Sequence, residues 1–184
     1  MKTIQEQYKK ITYLGGSTLS KLRGEKIVGN AGENATVLKL SMLGYAASTV
    51  KQDGVDIAVV GGAGLKVAQR VEVKTVLQSD DMRKYNFTIS RGADKRCYTR
   101  KDCDIIALVA LDITAYSTSS TCAVLFFPVE SFMSVKSLSL TQNDFLQPSE
   151  KNQWKEVLDY SQDMMAEVLK MDKLRREYKV YEKV

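Results

Sequence analysis

The sequence predicts an α/β fold in which a mixed β-sheet is flanked by helices and followed by a long C-terminal helix. Three observations predict it: a helical pattern over residues 32–43, strand patterns between residues 55 and 127, and apolar residues at helical spacing from Trp154 onwards. The chain has 184 residues, of which 44% are hydrophobic and 27% charged. This is enough for one soluble domain with a substantial core.

Residues 1–29 are predicted to form an N-terminal extension that precedes the core. Apolar residues at helical spacing predict a short helix in this stretch, and two adjacent glycines predict a loop after it. The residues concerned are Ile4, Tyr8 and Ile11 for the helix, and Gly15 and Gly16 for the loop.

The predicted core, residues 30–135, opens with a helix over residues 32–43 that ends at Gly44 as its C-cap. Glu33 lies four residues before Val37, so its carboxylate is expected on the core-facing side of the helix. A carboxylate in that position needs a backbone cap, a lysine or a metal as its partner. Alternatively, Glu33 only stabilises the positive end of the helix dipole.

Residues 55–60 and 67–76 are predicted to pair as a β-hairpin around a glycine-rich loop. Glu72 and Lys74 are two residues apart on the second strand, so both project from one face. With a loop of about six residues, Asp56 is expected opposite Glu72, and a register shift of one residue would break this pairing.

The remaining elements are a short strand over residues 87–89, two buried strands and a helix. Residues 104–111 and 122–127 form continuous apolar runs that predict neighbouring antiparallel strands. Residues 136–184 are predicted to form a C-terminal helical segment that packs on the core or on a dimer partner.

Composition excludes several classes of function. The sequence contains no histidine, so a Ser-His-Asp triad, a Cys-His dyad and histidine acid–base catalysis are impossible. Three cysteines without a C-x-x-C spacing predict reduced thiols in an intracellular, cytoplasmic protein. No apolar run is long enough to cross a membrane, and the polar N-terminus indicates no signal peptide.

Asp56, Glu72, Lys74 and Glu33 together predict a site for phosphodiester hydrolysis. Carboxylate oxygens of this kind suit Mg²⁺ or Mn²⁺, and Mg²⁺ typically uses one or two carboxylates together with waters and phosphate oxygens. Lys74 is expected to hold or deprotonate a water, or to stabilise developing negative charge.

This pattern resembles the PD-(D/E)XK nuclease superfamily, most closely its small intron-encoded homing endonucleases and archaeal-type Holliday junction resolvases. The resemblance runs over about residues 32–129 and implies a restriction-endonuclease-like core. It also implies that Asp56 and Glu72 bind the metal with the backbone carbonyl of Val73, that Lys74 assists the water, and that Glu33 completes the site. At the position of the motif's proline, directly before Asp56, this sequence has a valine.

A basic stretch with one tyrosine is the predicted nucleic-acid contact. The cations are expected to follow a phosphate backbone while the tyrosine stacks or hydrogen-bonds among them; the alternative is a mobile basic loop. The residues are Arg91, Lys95, Arg96, Tyr98, Arg100 and Lys101, in a chain of net charge +5.

The expected function is therefore a divalent-metal-dependent endonuclease that acts on duplex or branched DNA, as a homing-type or a junction or repair enzyme. A homodimer would suit cleavage of two strands. The alternative is a nucleic-acid-binding or assembly protein that kept the fold and lost catalysis.

Overall fold

The computed structural model describes the backbone of residues 18–52, 54–77, 84–111 and 122–181. Side chains are described over residues 24–50, 54–77, 84–111 and 122–170. The predicted helix and loop before residue 18 lie outside these ranges, as do the turn residue Asp53 and the connection over residues 112–121.

Seven strands and three α-helices make up the described fold. In chain order they are α1 (Thr18–Met42), β1 (Ala46–Gln52), β2 (Val55–Gly61), β3 (Gln69–Leu77), β4 (Lys84–Thr88), β5 (Ile105–Leu111), β6 (Cys122–Pro128), β7 (Ser137–Thr141), α2 (Gln142–Leu146) and α3 (Trp154–Tyr181). Short 3₁₀ turns at Val129–Phe132 and Glu150–Asn152 connect the later elements.

Five of the strands form one mixed sheet in the order β1-β2-β3-β5-β6. The central pair, β3 and β5, is parallel, whereas the other neighbours are antiparallel. Strands β4 and β7 form a separate antiparallel pair. The mixed sheet with flanking helices confirms the predicted fold class.

Helix α1 is longer than its sequence pattern predicts, since it begins at Thr18 rather than at residue 32. It therefore runs through the predicted limit between extension and core. At its end Gly44 has φ +85°, and the N–H groups of Tyr45 and Gly44 donate to the carbonyls of Leu40 and Ser41. These two bonds are those of a Schellman motif, which confirms Gly44 as the helix stop.

The five-stranded sheet separates two layers of core. We call the first the helical face: α1 and α3 cover it, and its buried side chains include Leu40, Val71, Val73, Ile105, Ala107, Trp154 and Leu158. We call the second the loop face: it carries Tyr85, Phe87, Tyr98, Cys103, Ile106, Leu108, Phe132 and Phe145. Because side chains alternate along β3, Glu72 and Lys74 belong to the loop face.

The C-terminal region is not wholly helical as predicted, because residues 137–141 form β7, which pairs with β4. Helix α3 packs on the helical face through Trp154, Val157 and Leu158, but Val168 further along it is 45% exposed. Within the described part of the chain, no helix is long and apolar enough to cross a membrane.

Candidate active site

Strands β2 and β3 pair antiparallel, as predicted, and Asp56 lies at the end of their ladder. The last pair of the ladder is Ile57 with Val71, and the same register extended by one residue would set Asp56 opposite Glu72. The Asp56 carboxylate Oδ2 accepts a hydrogen bond of 2.8 Å from the backbone N–H of Val73. A side-chain oxygen therefore takes the place of a strand carbonyl and fixes the Asp56 carboxylate beside β3.

Glu72 is buried, with 6% of its surface exposed, and is held by two donors. Its Oε1 accepts from the Lys74 Nζ at 2.7 Å and from the Tyr98 hydroxyl at 2.5 Å. The Lys74 ammonium also lies 5.1 Å from the centroid of the Tyr98 ring. Glu72 and Lys74 are thus joined directly, as their shared strand face predicts, and a tyrosine supports both.

Helix α1 approaches β3 closely at Gly32, which brings the neighbouring Glu33 within electrostatic range of Glu72. A side chain at the buried Gly32 would overlap Thr75 on β3, so only glycine permits this approach. Partial burial raises the pKa of the neighbouring Glu33, and the charge of Glu72 raises it further. The charge of Glu72 therefore acts on Glu33, as expected for an acid on the core-facing side of the helix.

In the acidic cluster the negative charge of the carboxylates exceeds the positive charge available to balance it. Burial raises the pKa of Asp56 to about 6, and the charges of Glu72 and Glu33 act in the same direction. The hydrogen bond from Val73 and the charge of Lys74 oppose the shift. One lysine does not neutralise three carboxylates, so a further cation would stabilise the ionised cluster.

The donor set fits a hard divalent cation with few protein ligands. Among the described residues no three acidic or thiol side chains converge on one metal position. Asp56 uses one oxygen for Val73, and Glu72 uses one for Tyr98 and Lys74, so each carboxylate keeps a second oxygen. Two carboxylates completed by waters and phosphate oxygens are a typical environment for Mg²⁺.

The segment that carries Tyr98 is fixed to β3 by Arg70 and Asp104. Asp104 is 1% exposed, and its carboxylate accepts from the backbone N–H and the guanidinium of Arg70. The same guanidinium donates to the carbonyls of Arg100 and Lys101. Sequence analysis assigned no role to Arg70; its only signal was a charged residue on the polar face of β3.

Asp102 braces the same segment from its other side. Burial favours its protonated form, but hydrogen bonds from Thr99 and Arg91 outweigh this and lower the pKa of Asp102. The Arg91 guanidinium also lies against Gly54, where an added Cβ would stand 3.0 Å from its Cζ. The Arg91 side chain therefore lies beside Gly54, two residues before Asp56.

The residues predicted to contact nucleic acid separate into two groups. Lys95, Arg96 and Lys101 are exposed. The others are partly or fully buried and engaged within the fold: Arg91 with Asp102, Arg100 with Glu130, and Tyr98 with Glu72. Tyr98 is 1% exposed, so its ring offers no face to a base, and the expectation of stacking does not fit this conformation.

A cavity of about 820 Å³ lies away from the acidic cluster, beside β6 and α3. Apolar side chains dominate its lining, among them Phe127, Phe132, Leu138 and Val157, and none of the predicted catalytic residues contributes to it. We therefore assign the candidate chemistry to the acidic cluster.

Comparison with solved structures gives a similarity that bears on the fold. No family model and no curated protein matches the chain. Among solved structures, it is similar to a bacterial homing endonuclease, I-Ssp6803I, with a TM-score of 0.51 and 18% sequence identity. The similarity covers 83% of this chain and 99% of that one. At this identity the comparison shows the fold: the chain shares the mixed α/β fold of a homing endonuclease.

Proposed function

We propose that this protein is a divalent-metal-dependent endodeoxyribonuclease of the PD-(D/E)XK type. The observation that carries the proposal is the placement of Asp56, Glu72 and Lys74 on two adjacent strands, where Asp56 binds the Val73 N–H and Lys74 binds Glu72, with Glu33 near enough for the charge of Glu72 to raise its pKa. The fold shared with a homing endonuclease supports the proposal. A fold alone does not specify function, but a fold that carries a matching site is a stronger argument.

The carboxylates of Asp56 and Glu72, with the carbonyl of Val73, would hold Mg²⁺ or Mn²⁺. Such an ion supplies Lewis-acid polarisation of a phosphate and lowers the pKa of a bound water. The hydrogen bond from the Val73 N–H orients the Asp56 carboxylate before any ligand arrives. This preorganisation reduces the cost of assembling the site.

Lys74 is placed to act on the attacking water or on developing charge. Its side chain is 24% exposed, and its ammonium is held by Glu72 at one oxygen. An ammonium has three donors, so a water or a phosphate oxygen can be bound while the contact with Glu72 is kept. Glu33 would accept a hydrogen bond from a second water at the edge of the cluster.

The exposed cations Lys95, Arg96 and Lys101 would bind the phosphate backbone of DNA. They lie in the segment that also brings Tyr98 to Glu72, so a strand bound there would pass near the acidic cluster. Phosphate contacts of this kind position a duplex without reading its sequence. Whether the enzyme acts at a specific site or on a branched junction depends on base or shape contacts that these three residues do not define.

Cleavage of a panel of DNA substrates tests the proposal. Supercoiled plasmid, linear duplex, single strand and a four-way junction are incubated with Mg²⁺ or Mn²⁺ and wild type, Lys74→Ala or Lys155→Ala. Lys155 lies on α3, against the opposite face of the sheet, so its removal controls for loss of one positive charge. We expect cutting by wild type and Lys155→Ala only.

A second readout separates an enzyme from an inactive relative. Mn²⁺ should raise the midpoint of thermal unfolding of wild type, and much less that of Asp56→Asn. Salt-sensitive DNA binding without cleavage and without a Mn²⁺ shift would contradict the nuclease proposal. It would favour instead a binding or assembly protein that keeps the fold.

A further inference from the structure

We propose that Tyr98 is a positioning residue of the acidic cluster, whose hydroxyl orients Glu72 and whose ring restrains Lys74. This inference rests on the proposed function and adds a residue that acts through two others. It replaces the expectation that Tyr98 contacts nucleic acid.

The hydroxyl contact defines the orientation of the Glu72 carboxylate. Tyr98 donates to Oε1 at 2.5 Å, and Lys74 donates to the same oxygen at 2.7 Å. Because both donors use Oε1, the carboxylate is fixed in rotation and Oε2 is kept for another partner. A carboxylate restrained in this way binds a cation without first losing rotational freedom.

The ring contact restrains the lysine from a second direction. The Lys74 ammonium lies 5.1 Å from the Tyr98 centroid, within the range at which a cation is attracted to an aromatic face. The Lys74 chain is therefore held between the Glu72 carboxylate and the Tyr98 ring. These two contacts give the ammonium of the flexible Lys74 side chain a defined position.

The Tyr98 hydroxyl is buried against the carboxylate that it binds. Tyr98 is 1% exposed, and its hydroxyl donates to Glu72 Oε1. It therefore serves as a fixed donor to Glu72.

The surrounding loop explains why Tyr98 stays in place. Arg70 binds the Arg100 carbonyl, and Asp102 accepts from both the N–H and the hydroxyl of Thr99. Tyr98 is thus followed directly by two anchored residues, and its ring lies within the apolar loop face. Residues that orient metal-binding groups from behind typically change metal affinity or activity about 10–100-fold when altered.

The test compares Tyr98→Phe with the matched control Tyr85→Phe. Both changes remove one hydroxyl from a fully buried tyrosine of the loop face, but only Tyr98 contacts Glu72. Measurements are Mn²⁺ affinity by calorimetry, kcat and KM on a substrate that wild type cleaves, and thermal unfolding. We expect Tyr98→Phe to lose about 10–100-fold in Mn²⁺ affinity and kcat with KM little changed, and Tyr85→Phe to lose neither.

Each other outcome overturns part of the scheme. Equal Mn²⁺ affinity and kcat in Tyr98→Phe and wild type would remove the positioning role of the hydroxyl while leaving the nuclease intact. A Tyr98→Phe protein that does not fold, or that loses only thermal stability, would make Tyr98 a core residue. A wild type that neither binds Mn²⁺ nor cleaves DNA would overturn the proposed function itself, and the role of Tyr98 with it.

Discussion

The acidic cluster and the segment over residues 91–104 reach their positions by different means. Asp56, Glu72 and Lys74 lie on strands, where the alternation of side chains and the hairpin register dictate which face each one takes. The later segment has no such periodicity. Its geometry depends on long-range partners, such as Arg70 with Asp104 and Arg100 with Glu130.

In the acidic cluster the role of a residue follows from its position on a strand, whereas in residues 91–104 it follows from the partner that the residue binds. A charge on a strand face keeps its direction whatever its neighbours are, so the cluster assembles from backbone geometry. A charge in a loop either pairs within the fold or remains available to a ligand. Arg91 and Arg100 pair within the fold, whereas Lys95 and Lys101 are exposed.

The largest expected effect comes from Asp56→Asn. The amide oxygen of asparagine can still accept from the Val73 N–H, so folding is preserved, but the negative charge is lost. A metal contributes several kcal/mol to a phosphoryl transition state, so we expect cleavage to fall about 10²–10³-fold. Single-turnover rates with saturating Mn²⁺ measure the loss.

Asp159→Asn provides the control for that change. Asp159 pairs with Lys155 on the exposed side of α3, away from the cluster. The Asp159→Asn variant should cleave DNA at the wild-type rate. Undiminished cleavage by Asp56→Asn would show that the cluster is not the metal site, however well its geometry fits.

The same contrast explains how far the sequence predicted this molecule. The mixed sheet and the antiparallel pairing of the hairpin strands follow from periodicity, and the structure agrees with both. The start of α1 and strand β7 were missed, because α1 contains three glycines that argue against a helix, and β7 is a strand of only five residues that needs β4 as its partner.

Tyr98 marks the limit of prediction within the candidate site. Surrounded by cations in sequence, it resembled a surface residue able to stack on a base. Its burial depends on the Arg70–Asp104 pair, whose members are 34 residues apart in the sequence, and on Glu72, which is 26 residues from Tyr98. A tertiary contact of this kind leaves no local pattern in the sequence.

The second prediction tests whether paired cations of the loop serve the fold. The side chains of Arg100 and Glu130 are 18% and 19% exposed, whereas those of Arg96 and Asp94 are 66% and 62% exposed. Arg100→Gln leaves a largely buried carboxylate without its cation, so we expect it to cost about 2 kcal/mol. Arg96→Gln should cost less than about 1 kcal/mol. Urea unfolding measures both, and equal costs would contradict the division.

The third prediction concerns pH and follows from the raised pKa of Asp56, which moves from 3.8 to about 6. Between these values the folded state binds more protons than the unfolded state, so stability of the metal-free protein should fall as pH rises through this window. Protons also compete with metal, so Mn²⁺ affinity should weaken below about pH 6. Asp56→Asn should lack this pH-dependent component of stability, and an identical profile in both proteins would exclude Asp56 as its source.

The smallest effects should come from the exposed cations. Lys95 occupies a left-handed backbone conformation with φ 50°, so Lys95→Asn removes the charge while suiting that backbone. Each of Lys95→Asn and Lys101→Ala should weaken DNA binding a few-fold and lower the slope of log K against log salt by about 1. Neither should alter stability, in contrast with Arg100→Gln. Unchanged salt slopes in both variants would remove these residues from the DNA-binding surface and leave the phosphate contacts to be sought around the β1–β2 turn.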